Sequence, residues 1–160
     1  MKQKGFTLTE LLIVVAIMSI LLTIAGLSYS RMMSTYRLET QVRQLYADLM
    51  NARVQAMQKN RIYFVTVAAA SYSVIEDRND SGVNDSGDNV VWTRQLTYPS
   101  SNWTGKTATL NSKGLVSPEG PPDNMIKFEP SGVSAALDCI NLGITRISLG
   151  KYDGSSCVAK

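Results

Sequence analysis

Phe6-Thr7-Leu8-Thr9-Glu10-Leu11-Leu12-Ile13-Val14-Val15 opens an apolar run that continues almost unbroken to Leu27. The reading of this run decides the fold. A short basic segment, Met1-Lys2-Gln3-Lys4-Gly5, precedes it, and one carboxylate, Glu10, sits at its mouth. An ionised carboxylate in a membrane segment is costly and is kept where it has a task. From Phe6 to Leu27 is 22 residues, roughly 33 Å of helix at 1.5 Å per residue, enough for a hydrocarbon core of about 30 Å. An ordinary secretory signal carries its cleavage site after the apolar core; here the glycine precedes it. Lys2 and Lys4 favour retention of the leader in the cytoplasm. A plain single-pass anchor is the competing reading, and it leaves both Gly5-Phe6 and Glu10 without a purpose.

The helical pattern outlasts the apolar run. Leu38, Val42, Leu45, Leu49, Ala52 and Ala56 recur at steps of three or four, one face of a helix. Arg37, Gln41, Gln44, Asp48, Asn51 and Gln55 fall on the other side. No proline occurs between Met1 and Tyr98. One helix is therefore expected over 6–60, about 80 Å long, with 6–28 spanning a membrane. From Arg61 the period changes to that of strands. Strands are expected at 62–67, 72–76, 90–98, 107–110, 125–129, 132–136, 144–149 and 156–159. Pro99, Gly105, Gly114, Pro118, Gly120, Pro121, Pro122 and Gly150 punctuate them. The fold expected is α+β, a long N-terminal helix packed on a small antiparallel β-sandwich head over 61–160.

The segment Gly5-Phe6-Thr7-Leu8-Thr9-Glu10-Leu11-Leu12-Ile13-Val14 resembles the class III signal of type IV pilins and type II secretion pseudopilins. Two later stretches resemble GspH/FimT-type minor pilins: Ala52-Arg53-Val54-Gln55-Ala56-Met57-Gln58-Lys59-Asn60-Arg61, running into a strand, and Phe128-Glu129-Pro130-Ser131-Gly132. The resemblance implies a leader 1–5 cut by prepilin peptidase between Gly5 and Phe6, and N-methylation of Phe6. It implies that Glu10 guides subunit assembly by pairing with the terminal amine of a neighbouring Phe6. It also implies partners: membrane lipid before assembly, an inner-membrane assembly platform, then other pilin or pseudopilin subunits. The subunit would be a single-pass inner-membrane protein with a periplasmic head, later part of a pilus or pseudopilus. Major pilins usually carry a kink-inducing proline where this chain has Leu27, which favours a minor subunit.

Composition narrows the chemistry. The formal charge is +3, and removal of Lys2 and Lys4 leaves +1, so basicity alone does not point to nucleic acid. Histidine is absent, which removes the commonest general base and metal ligand. Ser148-Leu149-Gly150-Lys151 fits a serine acyl-transfer spacing but runs from a strand into a glycine turn, without companion motifs. No enzyme is expected. Cys139 and Cys157 would form a disulfide in an oxidising compartment, and closing about 19 residues would stabilise the domain by roughly 3 kcal/mol.

Two local readings stay open. In Asp77–Asp88 the spacing Asp77, Asn79, Ser81, Val83 (by its carbonyl), Asp85 and Asp88, with Gly82 at the turn, matches a calcium loop. Equally, these are the residues a solvated hairpin loop uses. Arg146, Lys151 and Lys160 would be the phosphate contacts of a DNA-binding minor pilin in a competence pilus, without a basic stripe or interleaved aromatics to support them.

Overall fold

The computed structural model describes residues 5–119 and 124–160, with the backbone alone for 24–28. Lys2, Lys4, Gly120, Pro121 and Pro122 lie outside the described residues. The chain forms one helix, α1 (Leu8–Lys59), and nine strands: β1 (Tyr63–Val67), β2 (Ser71–Glu76), β3 (Asn89–Gln95), β4 (Lys106–Leu110), β5 (Val116–Pro118), β6 (Met125–Lys127), β7 (Cys139–Leu142), β8 (Ile147–Tyr152) and β9 (Cys157–Ala159). This is the α+β class expected. Two compact units divide the chain, Met1–Ser34 and Thr35–Lys160.

In the first unit, every large apolar side chain described from Phe6 to Leu22 is exposed, between 45% (Val14) and 82% (Phe6). The hydroxyls interrupting the run serve the helix's own backbone. Ser19 donates to the Val15 carbonyl and Thr23 to the Ser19 carbonyl, each at 2.8 Å. Such internal bonding removes most of the cost of a hydroxyl in an apolar medium. Among the described residues no helix is long and apolar enough to cross a membrane; the expected span includes 24–28, whose side chains are not described.

The second unit holds the core. Leu38, Val42, Leu45, Leu49, Ala52 and Ala56 are all buried, as the stripe predicts. They pack with inward residues of two antiparallel sheets, one ordered β3-β2-β1-β4-β5 and one β6-β7-β8-β9. Tyr63, Val65 and Val67 alternate inward on β1, joined by Val74 on β2 and Leu110 on β4. The second sheet adds Ile126, Ile140, Leu142 and Ile147. The helix stops at Asn60, which takes φ +53°, a left-handed cap that asparagine tolerates. The next amide, Arg61 N–H, closes back on the Ala56 carbonyl at 3.1 Å.

Four expectations need correction. Residues 132–136 form no strand. Gly132 turns at φ +75°, Ala136 N–H donates to the Glu39 carboxylate, and the Ser134 carbonyl accepts from Thr35, so the segment docks on α1. The strand expected at 144–149 starts at Ile147 and runs to Tyr152, and the one at 90–98 ends at Gln95. Two short strands, β5 and β7, lie where none was expected. On the polar side of α1, Arg37, Gln44 and Asn51 are exposed, whereas Asp48 is 5% exposed and Gln41 exchanges two hydrogen bonds with the Tyr98 backbone, at 2.8 and 2.9 Å.

Candidate functional site

At the N-terminus, Gly5 and Phe6 are non-helical and exposed, and α1 begins two residues beyond them. Thr7 is the N-cap. Its hydroxyl accepts from Glu10 N–H at 3.2 Å, and its carbonyl accepts from Leu11 N–H. The spacing Thr7-x-x-Glu10 is that of a capping box. Glu10 therefore lies in the first turn, where backbone N–H groups favour a negative charge. Among the described residues it is in no salt bridge and is exposed. A carboxylate so placed, on a helix whose apolar side chains are exposed all round, is available to a cation from elsewhere.

The structure also brings together a polar cluster that the sequence pattern hid. The Asp48 carboxylate, on α1, accepts from Tyr72 Oη (2.6 Å), Arg94 Nε (2.6 Å) and Gln44 Nε2 (3.2 Å). It joins helix, β2 and β3 in one network. Burial first, then the adjacent Asp48 carboxylate, pushes the Tyr72 phenol above the ordinary tyrosine range. A single acidic residue at the helix period of a polar face carries no sign of burial; a tyrosine and an arginine on neighbouring strand positions were the available clue.

The acidic loop is a self-satisfied turn. Asp77 is 1% exposed, and its carboxylate accepts from Ser81 N–H and Gly82 N–H at 3.1 and 2.8 Å. The Val83 carbonyl accepts from the Ser81 hydroxyl, Asn79 Nδ2 donates to Asp85, and Asp88 accepts from Asp85 N–H. The Gly87 amide and the Asn79 side chain hold the Asp85 carboxyl below the usual range. Each residue of the calcium spacing thus has a partner inside the loop, and among the described residues no three His, Cys, Asp or Glu side chains converge to hold a metal. Arg61 clamps the loop's base, donating to the carbonyls of Asp77 and Arg78 at 3.1 and 2.8 Å.

Cys139 and Cys157 are bonded, joining β7 to β9. Gly150 on β8 lies in the path of this link: a Cβ there would sit 2.9 Å from Cys157 Sγ and 2.3 Å from the Val158 carbonyl. Of the cations considered for DNA, Lys151 is tied to the buried Asp138 carboxylate. Arg146 is exposed on the turn before β8, and Lys160 N–H bonds the Leu149 carbonyl.

A capped helix with an exposed apolar first part, a lone first-turn carboxylate and a β-rich second unit define a pilin-like subunit. Comparison with known families agrees at both ends. The prokaryotic N-terminal methylation motif matches residues 1–26, and the type II transport protein GspH model matches residues 41–156. The chain belongs to the GspH family, whose members are structural subunits and not enzymes. No curated protein and no solved structure gives a significant match.

Proposed function

We propose that the chain is a minor pilin or pseudopilin, cut by prepilin peptidase between Gly5 and Phe6 and N-methylated at Phe6. In this reading residues 6–28 anchor it in the inner membrane with its head in the periplasm. An assembly platform then transfers it into a pilus or pseudopilus among other subunits. The observation that carries the reading is the exposed apolar first part of α1, capped by Thr7, with Glu10 the single carboxylate between Phe6 and Leu22. Large exposed apolar surface calls for lipid or for other subunits. In either medium a lone carboxylate is costly, and pairing with the new Phe6 amine of a neighbour removes much of that cost. Such a pair forms at one axial offset and so sets the stagger between helices.

Mass spectrometry of the N-terminal peptide, from sheared fibres and from inner membranes of the native host, tests this. A peptide beginning at N-methylated Phe6 is expected. Its presence in fibres identifies a pilus subunit, and its confinement to membranes identifies a short pseudopilus or a priming subunit. An intact Met1 peptide in both fractions overturns the reading in favour of a plain anchor.

A further inference from the structure

The two sheets have four edge strands, and three of them are guarded. β5, β6 and β9 are each three residues long; β5 ends in Pro118, and the disulfide holds β9. Short length and proline are the usual protections of a sheet edge. β3 is different. It is seven residues long, contains neither proline nor lysine, and pairs on one side only, with β2. A register shift between Val74 and Ile75 twists its start, leaving Trp92–Gln95 as a regular open edge.

The direction of its backbone groups follows from the ladder. Leu96 N–H donates to the Ala70 carbonyl at 2.8 Å, so this pair is of the hydrogen-bonded kind. Such pairs alternate along an antiparallel ladder. With Tyr72 opposite Arg94 and Ser73 opposite Thr93, Arg94 bonds to β2, while Thr93 and Gln95 turn their N–H and C=O groups outward. Beside that edge runs a groove of about 210 Å³ between β3 and α1, lined by Thr40, Gln41, Gln44, Tyr72, Arg94 and Gln95 together with Thr97. No acidic residue lines it. Arg94 is half exposed and uses only Nε on Asp48, which leaves its terminal N–H groups free to face the groove.

We propose that β3 accepts an extended segment of a partner subunit as a sixth strand, with an Asp or Glu of that segment placed against Arg94. Main-chain bonding at Thr93 and Gln95 supplies affinity. The carboxylate meets a guanidinium whose second edge suits it, which supplies register. The inference rests on the reading of the chain as an assembling subunit.

The test uses the full chain in its native host, with a photo-crosslinking phenylalanine analogue at Val90, which is 55% exposed on β3. The expected product is a crosslink to an acidic, extended segment of another subunit. Gln95→Pro should reduce it at least tenfold, because proline removes the outward N–H. Thermal melting establishes that Gln95→Pro folds, and if it does not, Val90→Lys, an edge guard on an already exposed site, takes its place with the crosslinker moved to Thr93. A crosslink unchanged by these variants, found only to lipid or nucleic acid, or absent while the N-terminal peptide shows normal processing, overturns the proposal. An unprocessed Met1 peptide in the same sample identifies failure of the subunit reading instead.

Discussion

The two ends of α1 use apolar residues in opposite ways. Between Phe6 and Leu22 they cover the whole circumference and stay exposed; between Leu38 and Ala56 they keep to one stripe and are buried. An all-round apolar helix has no inside of its own and must take its surroundings from lipid or other subunits. A striped helix has a fixed partner in its own chain. One continuous helix thus carries a half whose apolar side chains are exposed and a half already satisfied, and the two should fail independently.

Glu10→Ala should have the largest effect and confine it to the first half. Incorporation into fibres should fall more than tenfold in a pulldown of sheared material, while head melting and Gly5–Phe6 cleavage stay unchanged; normal incorporation would remove Glu10 from assembly. Asp48→Ala should do the reverse. It strands Tyr72 Oη and Arg94 against the core, costing the head about 3 kcal/mol in urea unfolding, the low end for a broken buried pair because Arg94 is half exposed. Cleavage should proceed normally, and a loss of cleavage would mean the halves are coupled. Gly150→Ala should cost about 1–3 kcal/mol, because the new Cβ forces β9 outward; an unchanged midpoint would show that β9 yields freely.

The smallest effect concerns pH. The N–H groups of Ser156 and Ser155 hold the Asp153 carboxyl at about 2, below its ordinary 3.8. The folded state therefore gains stability from ionised Asp153 above pH 4 and loses it as pH falls towards 2. Amide shifts of Ser155 and Ser156 should report this titration, and Asp153→Asn should abolish it. An ordinary carboxylate midpoint would mean that the turn does not hold its donors.

Much of this division was legible from residues. The period of Leu38–Ala56 is unaffected by context, and Gly5-Phe6 with Glu10 is a local pattern. Three features were not. Asp48 reads only as one residue of the polar side, because periodicity records type, whereas its burial depends on Tyr72 and Arg94 arriving from strands 24 and 46 residues away. β7 is buried at Cys139, Ile140 and Leu142, and so lacks the alternation that marks a half-buried strand. Val133 and Ala135 alternate like a strand, but the Ser134 carbonyl and the Ala136 N–H between and after them find partners on α1 in Thr35 and Glu39. The calcium spacing failed to discriminate for a related reason: turn chemistry and cation ligation draw on the same side chains.

Those ties between α1 and the later chain bear on biogenesis. Thr35 bonds to Ser134, Glu39 to Ala136 and Arg53 to Thr145, across 99, 97 and 92 residues. The buried stripe of α1 thus cannot be fully closed until the chain beyond Ser134 has been made. Until then a growing chain has its apolar first helical stretch complete but its stripe only partly covered. A chain stopped before that point would leave part of the stripe of Leu38, Val42 and Leu45 open to proteases, so only finished heads are protected.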